Sequence, residues 1–281
     1  MLDINKQWDN IGITNNFIFI HVLQNKKIAK RILELFIGIK IKNIRVPDPE
    51  KYFDSMINTK SVRLDVYITD TDDNIYNIEC QIKNESDDPL DLRDRYIHSI
   101  LTVNNLFKGN DYNDLKYEYV IFICKFDFFK EGLPVYTFEG RQCKQDNSII
   151  INNKTSSIIL NSKYHKDKCN NVDPEILDFL DYFNGKDPYS RLTIDIDNEV
   201  KIVKSKHDVK EKFMILSMML RDAEFRGEKR GEKRGEMKGE VKKSESIAIS
   251  MLENNEPIEK VLKYTQLPES RIRQLVEQLS V

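Results

Sequence analysis

The chain is 281 residues long, 40% hydrophobic and 32% charged, enough for one generous domain with an appendage, or two small domains, around a sizeable core. Its 44 Lys and Arg against 46 Asp and Glu give a net charge of −2, which excludes a uniformly basic nucleic-acid coat but not a basic patch. The N-terminus MLDINKQWDNIG has no apolar signal region, and the runs Phe17–Val22 and Phe213–Leu220 are far shorter than the ~20 residues of a membrane span, so a cytoplasmic protein is expected.

The first predicted element is a helix over KKIAKRILELFIG, with Ile28, Ile32, Leu33, Leu35 and Phe36 at helical spacing and Gly38 closing it. A strand-like NIRV and the breaker PDPEKY follow. Two alternating segments, RLDVYITD and NIYNIECQI, are joined by the turn-rich TDDN and read as a hairpin. A helix is expected over about 91–107, its apolar face set by Leu92, Tyr96, Ile100 and Val103, with Gly109 ending it. YEYVIFICKF is nearly continuously apolar, the pattern of a strand covered on both faces. Further strands are expected at Ser148–Ile151 and Ser157–Leu160, which together suggest a mixed α/β sheet. The four cysteines (Cys80, Cys124, Cys143 and Cys169) form no C-x-x-C pair, and Cys80 and Cys124 read as small core residues. Trp8 also reads as core, and His98 as a surface or packing residue.

From about Val172 the pattern is helical to the end. RGEKRGEKRGEMKGEVKK places Gly227, Gly231, Gly235 and Gly239 four residues apart, each costing an isolated helix about 1 kcal/mol against Ala. It reads as a solvated stalk, as a glycine stripe for helix approach in a dimer, or as a set of basic contacts to a phosphate backbone. Residues 201–243 carry 14 Lys and Arg against 8 Asp and Glu, so positive charge is concentrated there. The last segment reads as three short helices, with Pro257 and Pro268 opening the second and third. It is either a docking or assembly module or a helix-turn-helix in which Arg271, Arg273 and Gln274 face a groove. The expected domains are 1–200, a basic helical stalk over 201–243 and a small helical module over 244–281.

The residues that suggest chemistry are in the hairpin. Alternate strand residues share a face, which groups Arg63, Asp65 and Tyr67 opposite Leu64, Val66 and Ile68. Asn77, Glu79, Gln81 and Lys83 likewise lie opposite Tyr76, Ile78, Cys80 and Ile82. A loop centred near Asp72 sets Asp65 directly across from Glu79, a like-charge pair that is destabilising unless a cation neutralises it. A hard divalent ion does so, and Mg²⁺ favours one or two carboxylates plus water and phosphate oxygens. An ordinary hairpin with one wet, charged face is the alternative.

Asp on one strand and Glu-x-Gln on the next resembles the PD-(D/E)XK nuclease signature with glutamine in place of lysine. RLDVYITD…NIECQI, RDRYIHSIL, YEYVIFICKFDFFKEGLPVYTFEGRQC and LRDAEFRGEKRGEKRGE, in this order, resemble the Rpn family of recombination-promoting nucleases and transposases, from about Ile13 to Lys243. The resemblance implies a restriction-endonuclease-like fold: an α/β mixed sheet flanked by helices, with an all-helical C-terminal extension. It implies Mg²⁺-dependent (or Mn²⁺-dependent) phosphodiester hydrolysis, with DNA as substrate. Asp65, Glu79 and the Cys80 carbonyl are then metal ligands, and Gln81 orients the attacking water or a phosphate oxygen. Lys83 or Arg95 supplies the positive charge that the family's lysine carries. Where family members read T-D-D-F, this chain has Thr14, Asn15, Asn16 and Phe17, so an amide stands either at the metal site or at a helix cap. The competing expectation is a weak or inactive member that binds DNA or self-associates as a homo-oligomer through its C-terminal helices.

Overall fold

The hairpin expected over 63–82 forms the antiparallel heart of a six-stranded sheet, in a computed structural model that describes residues 4–53, 62–84, 88–146 and 148–279. Its strands are β1 (Asp48–Pro49), β4 (Val66–Thr69), β5 (Ile75–Gln81), β6 (Glu118–Cys124), β8 (Ile150–Asn161) and β7 (Val135–Gln142), in that order across the sheet. β5, β6 and β8 run parallel to one another, while β1, β4 and β7 are antiparallel to their neighbours. β6 is buried on both faces as its apolar run predicts: Val120, Ile121, Phe122, Ile123 and Cys124 have no exposed surface. A mixed sheet flanked by helices and followed by a helical C-terminal region is a restriction-endonuclease-like architecture.

Two layers cover the sheet. On one face lie α1 (Ile4–Asn10), α2 (Asn16–Leu23), α3 (Lys26–Ile37), α5 (Pro174–Phe183) and α6 (Arg191–Ser205), packed on Tyr76, Ile78, Cys80, Ile121 and Leu160. Trp8 belongs to this core, and Gly38 ends α3 in the left-handed region at φ 76°. On the other face α4 (Leu90–Asn105) covers Ile75, Val120 and Phe122. α4 occupies the expected span but presents a different face. Leu90, Ile97 and Leu101 are buried, whereas Leu92 and Val103, expected inside, are more than half exposed. The reason is polar: Arg93, Asp94 and His98 share the inward side and find partners on the sheet. His98 Nε2 lies 3.1 Å from Ser157 Oγ on β8, and Ser157 donates to Asp94 at 2.8 Å.

Three other expectations change. The NIRV segment contributes only a bridge, Ile44 with Asp70. The two strands expected at 148–151 and 157–160 are one, β8, and its partner β7 has no expected counterpart. RLDVYITD is not one strand. β3 (Val62–Arg63) pairs with β2 (Tyr52–Phe53) in a separate two-stranded sheet, and β4 begins at Val66. Leu64 therefore packs with the α4-side core while Val66 and Ile68 pack on the opposite face, so strict alternation fails at Leu64–Asp65.

The chain divides into two compact units, Met1–Phe213 and Met214–Val281, with the boundary inside α7 (His207–Glu253). Every residue from 222 to 243 in this helix is exposed. Lys229 lies over the Phe225 ring at 4.7 Å. In the second unit the end of α7, α8 (Ile258–Thr265) and α9 (Glu269–Leu279) bury Ala248, Val261, Leu267, Ile272 and Leu275. Among the described residues no helix is long and apolar enough to cross a membrane.

Candidate functional site

The site is built where β4 starts. The register pairs Val66 with Ile78 and Tyr67 with Asn77, so one step earlier Asp65 stands opposite Glu79, as the loop length predicts. The strand breaks there, and the two carboxylates close the ladder reciprocally. The Asp65 N–H donates to Glu79 Oε1 at 3.1 Å, and the Cys80 N–H donates to Asp65 Oδ2 at 3.0 Å. Asp65 is 7% exposed and Glu79 is fully buried, so this face is covered, unlike the wet face of an ordinary hairpin.

Each carboxylate draws on a different layer. Asn16, the first residue of α2, donates its amide to Asp65 Oδ1 at 2.9 Å. Asn77 donates to Glu79 Oε1 at 3.0 Å, and Arg93 of α4 meets Glu79 Oε2 at 2.7 Å while its other arm reaches Asp88 at 3.0 Å. Burial and then the Asp65 charge push the Glu79 carboxyl up to about 7, against the pull of Arg93. Burial also raises Asp65, opposed by the Asn16 and Cys80 hydrogen bonds. Arg93 stays protonated although burial disfavours its charge, because Glu79 and Asp88 hold it. Burial pushes the Cys80 thiol far up, so this sulfur is no thiolate ligand.

The donors suit a hard cation. In a strand a residue's N–H and C=O share one side, so the bond from the Cys80 N–H to Asp65 turns the Cys80 carbonyl towards the same edge. The Gln81 carbonyl, one step on, accepts from Lys125 at 2.8 Å on the β6 side. Two further oxygens, Asn16 Oδ1 and Asn77 Oδ1, are buried beside the carboxylates without hydrogen-bond partners. Among the described residues no group of three His, Cys, Asp or Glu side chains gathers. The available set is thus two carboxylates with carbonyl oxygens, which fits Mg²⁺ or Mn²⁺ completed by water rather than zinc.

The structure brings Asp65, Glu79, Cys80 and Gln81 together. Gln81 and Lys83 line an open cleft of about 270 Å³ with Cys80, Ile82, Asp88 and Arg93. Lys83 is exposed at its rim. Arg95 is not part of it: it is exposed on α4, and Arg93, two residues earlier, is the arginine that reaches the site. Arg93 and Asn16 are the residues that strand spacing alone misses. Asn15 and Asn16, ambiguous in sequence, divide the two roles between them. Asn15 caps α2 by accepting from the Phe17 and Ile18 N–H groups, and Asn16 contacts Asp65.

In the second unit the residues expected at a groove are engaged internally. Arg271 pairs with Glu245 at 2.6 Å and donates to Gln274, and Arg273 pairs with Glu269 at 2.6 Å.

A family model described as PD-(D/E)XK nuclease family transposase matches residues 17–182, from α2 through α5, which is more than half of the chain and includes all the site residues above except Asn16. No curated protein and no solved structure matches the chain.

Proposed function

The chain belongs to the PD-(D/E)XK nuclease family transposases, and from that premise we propose that it is a metal-dependent DNA endonuclease of the Rpn type, cutting cytoplasmic DNA in recombination or mobile-element movement. The observation that carries this reading is the Asp65–Glu79 pair, at the start of β4 and the end of β5, with Gln81 two residues on. Two like charges in a buried place, one raised to about 7, are costly unless a cation joins them. Asp65, Glu79 and the Cys80 carbonyl would hold Mg²⁺ or Mn²⁺, which when bound polarises a phosphodiester and lowers the pKa of a water.

The chain's own groups have separate tasks. Asn16 and the Cys80 N–H orient Asp65 and favour its charged form against burial. Asn77 and the Asp65 N–H orient Glu79. Gln81 lines the cleft and presents a neutral amide, which orients a water or a phosphate oxygen without adding charge. Titration calorimetry with Mn²⁺ tests the assignment: saturable heat is expected for the full chain, and its loss in Glu79→Gln. Equal heats for both proteins would contradict it.

A second reading is favoured by one observation. Glu79 already has a cationic partner in Arg93, and Asn16 brings no charge to Asp65. A weakly active protein that works by binding DNA or by self-association through its C-terminal helices follows from that balance. It predicts no Mn²⁺ heat and a multimeric mass in light scattering.

A further inference from the structure

We propose that Arg93 is a phosphate-binding residue of the cleft, held at rest by Glu79 and Asp88, and that it supplies the positive charge which Gln81 lacks. The inference rests on the nuclease reading above and deepens it.

Three cations follow Gln81 closely in sequence, Lys83, Arg93 and Arg95, and the structure separates them. Lys83 is exposed at the rim and Arg95 is exposed outside the cleft. Arg93 alone of the three is both partly buried, with its side chain 27% exposed, and part of the cleft wall beside Gln81. Its guanidinium is divided between two carboxylates of unlike character. One arm meets Glu79, which is fully buried, and the other meets Asp88, whose side chain is 42% exposed. Neither contact is a two-pronged fork onto one carboxylate, the arrangement that makes arginine pairs strong. The planar five-donor head therefore remains suited to a phosphate, which it grips better than an ammonium does.

The electrostatics give the exchange a direction. At rest Arg93 offsets the charge of Glu79, which is fully buried across from Asp65. Were a divalent cation held by Glu79, the attraction between Arg93 and that carboxylate would weaken, leaving the guanidinium, still beside Asp88, available at the wall of an open cleft of about 270 Å³. A DNA phosphate is the anion that such a cleft in a nuclease receives. Arg93 is thus the counter-ion of Glu79 without substrate and the partner of a phosphate with it.

The test uses the full chain, Arg93→Gln, which keeps an amide donor for Glu79, and Arg93→Lys, which keeps the charge. A labelled short DNA duplex is titrated in Ca²⁺ over a range of salt, and Mn²⁺ binding is followed by calorimetry without DNA. Arg93→Gln is expected to bind DNA about tenfold more weakly, with a salt slope smaller by about one. It is expected to bind Mn²⁺ more tightly, because a competing positive charge has gone. Arg93→Lys is expected to keep DNA affinity within about threefold, since a point charge still reaches phosphate. An unchanged DNA affinity and salt slope in Arg93→Gln overturns the inference while leaving the nuclease reading in place. Should Arg93→Gln melt below the assay temperature, the same titration is run on it below its melting temperature, and an unchanged affinity and salt slope there overturns the inference. Absence of Mn²⁺ heat in the unmodified chain overturns the nuclease reading instead, and the DNA titration still reports whether Arg93 touches phosphate.

Discussion

At the scale of single residues the site is a balance of charges with little to spare. Glu79→Gln removes one buried charge at constant shape. The Glu79 carboxyl is raised from its ordinary range to about 7 by burial and by Asp65, so the folded protein holds this proton more tightly than the unfolded chain does. Its stabilising effect is complete below the ordinary carboxylate pKa and is lost as pH rises towards 7. The melting temperature of the metal-free protein should therefore fall relative to that of Glu79→Gln between pH 5 and pH 8. A constant difference would mean that Glu79 is not perturbed. Asn16→Asp places a carboxylate against Asp65, so Mn²⁺ is expected to bind several-fold more tightly while the metal-free protein melts earlier. Much of this was legible in the chain, because an odd-length turn centred on Asp72 determines which residues face each other. Arg93 was not, since choosing between Arg93 and Arg95 requires knowing how α4 is rotated against the sheet. Asn16 lies 49 residues from Asp65, and no local pattern connects them.

At the scale of elements the sequence is most informative where one period dominates. β6, buried on both faces, and α3, with its stripe and terminal glycine, lie where their patterns place them. α4 does not obey its apolar period, because its inward face is half polar: Arg93, Asp94 and His98 occupy positions that periodicity assigns to solvent. β7 is mostly exposed along its length, so it shows no alternation to detect. In α7 the four-residue repeat advances about 40° per step around a helix of 3.6 residues per turn. The glycines therefore wind around the helix instead of forming one straight seam. A Cβ at Gly227, Gly231, Gly235 or Gly239 meets nothing within 4 Å. Changing all four to Ala should thus stabilise this helix by up to about 1 kcal/mol per site, seen as a higher helical melting midpoint by circular dichroism. A fall in solution mass together with that rise would show that the glycines serve close helix approach between copies.

At the scale of the whole molecule the net charge of −2 is a sum over unlike parts. The first unit contains the sheet, both carboxylates and most of the acidic excess, while the positive charge concentrates in residues 201–243, most of them in α7. The family match covers the sheet and the helices α2 to α5, and ends before α6. The helical end is therefore explained by composition and packing alone, and in α9 both arginines are committed to glutamates. DNA affinity through such charges should fall steeply with salt. The account as a whole depends on whether Asp65 and Glu79 sustain hydrolysis. Supercoiled plasmid incubated with the purified chain, in Mg²⁺ or in chelator, tests this most directly. Conversion to nicked or linear DNA is predicted in Mg²⁺ alone and is predicted to vanish in Asp65→Ala and Glu79→Ala. Cleavage that persists in chelator, or in either variant, would contradict the account.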